Sequence, residues 1–220
     1  MPPGKPRLPP KVRASAVLCV VGAIVGTGLY FGNLFYLGAK TKAAWAAAVP
    51  RTIPDPYGPM APDAMAFSRD SKTLAAGSHD GRIRLWDVAT GEPQATLHDG
   101  NTQIVDAVAF SPDGKTLAAA NLDHTVRLWD VTDDRSPKPT TLGSHLNGAI
   151  SVAFSPDGKT LVSTGNDDMI RLWDPASGTL WAAREGPTTN SGISATFSPD
   201  SKTLAAGGLG AIELWRVPAG

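Results

Sequence analysis

The stretch FSPDGKTLVSTGNDDMIRLWD, residues 154–174, is one of four versions of a single unit. Another is FSRDSKTLAAGSHDGRIRLWD at residues 67–87, a third lies within residues 105–132, and FSPDSKTLAAGGLGAIELWR fills residues 197–216. Phe67, Phe110, Phe154 and Phe197 follow one another at intervals of 43, 44 and 43 residues. Trp86, Trp129, Trp173 and Trp215 follow at 43, 44 and 42, so the interior of the unit is almost constant. A period in the forties with a fixed interior predicts a repeat architecture.

Each unit reads as short strands joined by tight turns. In the second, Ala107 to Phe110 is an apolar strand and Ser111-Pro112-Asp113-Gly114 is a turn. Proline presets φ there, the aspartate bonds nearby backbone, and glycine accepts positive φ. Thr116 to Ala120 and Thr125 to Trp129 give two more strands, and a segment ending in Thr140-Thr141-Leu142 a fourth, outer one. Near-continuous apolar runs point to strands covered on both faces. Small antiparallel sheets stacked around an axis meet that requirement. The units fall near 64–97, 105–142, 149–183 and 193–217, within a domain expected to span 64–220.

Ahead of the repeats the chain changes character. Residues 1–51 hold seven Lys/Arg and no acid, while residues 52–220 hold thirteen Lys/Arg against twenty Asp/Glu. That acidic balance is a poor match for nucleic-acid phosphates. Residues 1–13 form a basic tail, and from Ala14 to Gly38 there are 25 residues without a charge. As a helix this run would reach roughly 37 Å at about 1.5 Å per residue, enough for a hydrocarbon core of about 30 Å. Residues 14–38 are therefore expected to be a transmembrane helix in contact with the lipid bilayer. A cleaved signal peptide fits less well, because the run is too long and Lys40 and Lys42 precede any small-residue cleavage site. More basic residues before the run than after it favour an extracytoplasmic repeat domain. Gly22, Gly26, Gly28 and Gly32 are spaced as on a helix dimerisation face. Residues 39–63 are a Pro/Ala-rich linker in which proline disfavours helix and central strand.

The units resemble WD repeats of the β-propeller family, over residues 64–217. Trp86-Asp87, Trp129-Asp130 and Trp173-Asp174 carry the dipeptide; the last unit has Trp215-Arg216. The family's turn aspartate falls on Asp80, Asp123 and Asp167, and on Leu209 in the last unit. His98 and His145 lie where the family places a histidine, each without its preceding glycine. The resemblance implies an all-β, propeller-like array of about four blades, the last incomplete, and the uncharged run ahead of it adds one N-terminal transmembrane helix. It also implies a buried His–Ser/Thr–Asp–Trp network. With Ser78 taken as the hydroxyl position, Asn121 and Gly165 occupy its place in the next two units, so the network is expected to be incomplete everywhere. Relatives mostly have seven blades. Four can stay open, or pair with four more in a homodimer.

No chemistry emerges from the residues. His79-Asp80 and His124 sit in turns where the aspartate already has a scaffold role. Cys19 lies in the apolar run, and the four histidines offer no metal-ligand spacing. Asn166-Asp167-Asp168 falls short of a calcium loop; Asp133-Asp134 reads as a solvated charge. Glycine-rich phosphate loops and nucleophile elbows do not occur. Arg84, Arg127 and Arg171 repeat in register, which suits packing of their stems within each sheet. The expected function is therefore a non-enzymatic, membrane-anchored scaffold without cofactor or metal. Its protein partner would dock on rim loops around Gly91 to Thr102 and Asp133 to Asn147. The alternative is a fragment of a larger sensory or regulatory protein, related to a kinase or nucleotide-binding ATPase and acting only through a partner.

Overall fold

The computed structural model describes residues 50–53, 62–132, 138–187, 193–208 and 211–217. The expected transmembrane helix at 14–38, the basic tail and most of the linker lie outside these residues. Among the described residues, fifteen strands fall into four antiparallel sheets. The first sheet holds β1 (Pro62–Phe67), β2 (Thr73–Ser78), β3 (Ile83–Asp87) and β4 (Pro93–Leu97). The second holds β5 (Val105–Phe110), β6 (Thr116–Asn121), β7 (Thr125–Asp130) and β8 (Thr140–Ser144). The third holds β9 (Ala149–Phe154), β10 (Leu161–Gly165), β11 (Met169–Trp173) and β12 (Leu180–Glu185). The fourth has three strands: β13 (Ser194–Phe197), β14 (Thr203–Gly208) and β15 (Ala211–Arg216). Within each sheet the strands pair in chain order, so every connection between neighbours is local.

The Phe-Ser-Xaa-Asp signature is the turn between the first two strands of each sheet, and its chemistry repeats. Ser68 Oγ donates to Asp70 Oδ1 at 2.6 Å, the Lys72 N–H donates to the same oxygen at 3.1 Å, and the Thr73 N–H donates to Ser68 Oγ at 2.9 Å. Ser111 with Asp113, Ser155 with Asp157, and Ser198 with Asp200 form the same turn with the same three distances. The turn needs one residue at positive φ after the aspartate. Gly114 and Gly158 supply it, while Ser71 (φ 61°) and Ser201 (φ 63°) adopt it against the preference of a residue with a Cβ.

The core lies between sheets. Ile83, Leu85 and Ala75 of the first sheet meet Val108, Leu117 and Trp129 of the second. Val126, Leu128 and Ala118 of the second meet Val152, Leu161 and Trp173 of the third. Ile170, Leu172 and Val162 of the third meet Ala195, Phe197 and Leu204 of the fourth, with Trp215 partly buried at its edge. One face of each sheet thus carries the residues one and three before its Trp, and the other carries the Trp and the residue two before its Phe. The inner strands pack in succession, β1 on β5, β5 on β9 and β9 on β13; β13 makes no comparable packing with β1. Among the described residues the array is propeller-like and open between its first and last sheets.

Candidate interaction surface

The strand registers place the connectors on two rims. Ser78 faces Pro62 and Leu97 faces Ile83, so the β2–β3 turn and the β4–β5 connection share one rim. Their counterparts at 122–124 and 145–148, at 166–168 and at 186–187 lie on that rim too. The Phe-Ser-Xaa-Asp turns and the segments after each Trp form the other. The two stretches expected as rim loops are therefore corrected: each is an outer strand, β4 or β8, with connectors on opposite rims. On the second rim, Asp87 accepts from the Thr90 N–H at 2.7 Å, Asp130 from the Thr132 N–H at 2.9 Å, and Asp174 from the Ala176 N–H at 2.9 Å. The aspartate of the Trp-Asp pair is a turn cap there.

On the first rim the turn aspartates do two jobs. Asp80, Asp123 and Asp167 each accept from the N–H two residues on, at Arg82, Thr125 and Met169. Each also binds the arginine four residues on: Arg84 at 2.8 Å, Arg127 at 2.5 Å and Arg171 at 2.8 Å. The in-register arginines are thus held inside their own sheets. Burial alone would raise the Asp80 carboxyl, but bonds from Arg84 and the Arg82 N–H hold it down at about 2.

The third sheet completes a network expected to be missing. Trp173 Nε1 donates to Ser163 Oγ at 2.8 Å. Ser163 Oγ lies 2.8 Å from His145 Nε2, and His145 Nδ1 lies 2.8 Å from Asp167 Oδ1. One proton arrangement satisfies these three contacts: the indole donates to the hydroxyl, the hydroxyl to Nε2, and a neutral imidazole donates from Nδ1 to the carboxylate. Arg171 Nη1 also lies 2.5 Å from that Nδ1 and gives its proton to Asp167 Oδ2 instead. Burial pushes the imidazole below its ordinary value, against the opposing bond to Asp167. Burial would raise the Asp167 carboxyl, but bonds from His145, the Leu146 N–H and Arg171 hold it below the usual range. The hydroxyl comes from Ser163, two residues before the position assigned by analogy with Ser78. Gly165, read as a gap in the network, instead makes room for the ring, since a Cβ there would lie 2.5 Å from the His145 imidazole.

The other sheets lack that hydroxyl. Ala119 faces Arg127 in β7 as Ser163 faces Arg171 in β11, and Ala76 faces Arg84 likewise. Trp86 Nε1 and Trp129 Nε1 are buried without a hydrogen-bond partner among the described residues. With no hydroxyl to reach, His98 turns outward and donates from Nε2 to the Asn101 carbonyl at 2.9 Å. Asn101 Nδ2 then bonds Asp123, and Arg127 Nε reaches Asp99 at 2.7 Å. The 98–104 connection is tied down by charge instead of by a buried histidine.

His79 and Asp80, considered as a catalytic pair, do not meet. His79 Nε2 lies 2.5 Å from Asp63 Oδ2, and Asp80 is committed to its arginines. His124 is exposed, at φ 81° in its turn, and Asp133 and Asp134 lie outside the described residues. Nearby, burial and then the charge of Asp63 raise the Asp106 carboxyl to about 6, with His79 opposing. No group of three or more potential metal ligands occurs among the described residues.

The pattern of the WD domain, G-beta repeat, matches residues 62–87, 91–130 and 137–174. The chain belongs to the WD-repeat family. No curated protein matches it significantly. The second and third WD repeats each begin ahead of an outer strand, so β4 belongs in sequence to the second repeat and β8 to the third. The second and third repeats each lend their first strand to the blade before. That is why His145 stands across a blade boundary from Ser163 and Asp167, the residues it serves. Repeats of this family are typically non-enzymatic scaffolds for protein interaction.

Proposed function

We infer that the chain is a membrane-tethered scaffold that binds a protein partner on the first rim, without catalysis of its own. The observation that carries this reading is Leu146, a large apolar side chain 72% exposed on that rim. Its position is fixed: the Leu146 N–H donates to Asp167 Oδ2 at 3.0 Å, and Asn166 Nδ2 donates to the Asn147 carbonyl at 2.8 Å. An apolar group presented on a rigid connector loses little entropy when a partner covers it. Asp168 lies on the same rim, which suits a partner with a basic group beside an apolar centre. Tethering rests on the 25 uncharged residues at 14–38, and the excess of upstream basic charge supports an extracytoplasmic rim.

Affinity capture of the full-length chain from membranes, compared with a Leu146→Asp variant, tests the reading. Partners held by the wild type should be lost with the variant while its circular dichroism is unchanged. Recovery of the same partners by both would overturn it. Protection of the repeats from protease in sealed cells lacking an outer barrier would overturn the proposed orientation.

A further inference from the structure

The packing of one blade on the next occurs three times in this chain, and both of its halves are left over at the ends. The residue two before the Phe is buried in three blades, with Val108, Val152 and Ala195 at 8%, 7% and 6% exposure; in the first blade it is Met65, at 67%. The residue three before the Trp is buried as Ile83, Val126 and Ile170, at no more than 2%, whereas Ile212 of the fourth blade is 78% exposed. One before the Trp, Leu85, Leu128 and Leu172 are at most 9% exposed, and Leu214 is 68% exposed. Phe67, at 61%, adds to the patch on β1. The outer half of that first-blade face is closed already, since Ala76 and Trp86 are buried. What stays open is the inner strand, which leads every existing contact: β5 packs on β1 and β2, β9 on β5 and β6, and β13 on β9 and β10.

We propose that two copies of this chain associate head to tail, β1 of each seating on β13 and β14 of the other. Met65 then takes the place that Val108, Val152 and Ala195 hold within the chain. Ile212 and Leu214, whose counterparts pack on a Trp that is already covered in the first blade, lie at the margin of the new contact. A second copy is the favoured occupant because its free face is the missing half of an interface already made three times, with the same residue classes at the same register. The contact is heterologous, so it closes if two rotations complete a turn. Four sheets from each chain then give an eight-bladed ring, within the range such rings adopt. Closure also removes the two exposed sheet faces, which otherwise invite uncontrolled association. The proposal is independent of the partner assigned to the first rim.

The test uses the full-length chain in detergent, its protein mass measured by light scattering, with Met65→Asp and Leu214→Asp variants. Both positions are exposed within one chain, so neither change should disturb folding, and near-ultraviolet circular dichroism checks that. The wild type should be a dimer and each variant alone a monomer. An equimolar mixture of the two variants should recover a dimer, because one intact pair of faces remains between them. Recovery on mixing is specific to a head-to-tail contact. A monomeric wild type would overturn the proposal and leave the faces to further repeats or to another protein. A dimer that survives both substitutions would place the contact elsewhere, for example in the 14–38 helices, and overturn it equally. A ladder of masses growing with concentration would overturn closure by two.

Discussion

One hydroxyl separates the third blade from the two before it. Ser163 receives the Trp173 indole and reaches His145, while Ala119 and Ala76 leave buried indoles unpartnered among the described residues. Removing it by Ser163→Ala orphans an indole N–H and an imidazole nitrogen in the interior, which costs roughly 2–3 kcal/mol. The converse change, Ala119→Ser, sets an acceptor beside Trp129 Nε1 and should stabilise by about 1 kcal/mol. Urea denaturation of both variants checks the pair, and a destabilised Ala119→Ser protein would show that the site has no room for oxygen. The same blade carries a pH dependence. His145 has its folded value depressed below its ordinary 6.5, so its contribution is present above about pH 6.5 and is lost as pH falls below that. Asp106 works the other way: raised from 3.8 to about 6, it destabilises the fold at neutral pH, and that penalty fades between pH 6 and 4. The Asp106→Asn variant should therefore be more stable at pH 7, by about 1 kcal/mol after discounting for its half-exposure. Its melting temperature should fall more steeply than the wild type's between pH 6.5 and 5. Parallel curves would refute this.

The recurring element is the Phe-Ser-Xaa-Asp turn, and its four copies form an internal mutant series. Two copies place glycine at the positive-φ position and two place serine. A left-handed residue with a Cβ costs about 1–2 kcal/mol, and glycine returns part of that in chain entropy. Ser71→Gly should thus stabilise by about 0.5 kcal/mol. Ser201→Gly should gain less, because Ser201 Oγ accepts the Asp157 N–H at 3.1 Å from the neighbouring blade. A larger gain at Ser201 than at Ser71 in chemical denaturation would show that the cross-blade bond carries no weight. The element also explains why the strand pattern was legible. Serine, aspartate and the following Thr N–H close on one another within five residues, so the turn is local chemistry and its spacing survives in sequence. The network of Ser163 was less legible, because it spans 28 positions from His145 to Trp173 and depends on which face of β10 a residue occupies. An error of two residues kept the hydroxyl on the correct face and moved it along the strand, away from the indole.

At the scale of the molecule, stability is spread unevenly along the row of blades. The second and third are packed on both faces. In the fourth, β15 pairs with β14 alone among the described residues and is largely exposed. A cleft of about 250 Å³ beside it is lined by Ile170, Leu172, Leu204 and Trp215. Local opening should start there. In the Met65→Asp variant, β15 amides should exchange with solvent far faster than those of β6 and β10, which are buried between paired strands. Equal protection across the four blades would contradict that order.

Local residue chemistry specified the blade. A strand's two faces, the turn residues and the Trp-Asp cap all act within a few residues of one another, and four repetitions made the pattern unmistakable. Tertiary structure alone decided how blades meet. Met65 and Val108 are both apolar residues two before a phenylalanine, and so are Val152 and Ala195; nothing local distinguishes the one that is exposed. Burial depends on whether another sheet arrives at that face. That is a property of the stack's ends, not of any residue in them.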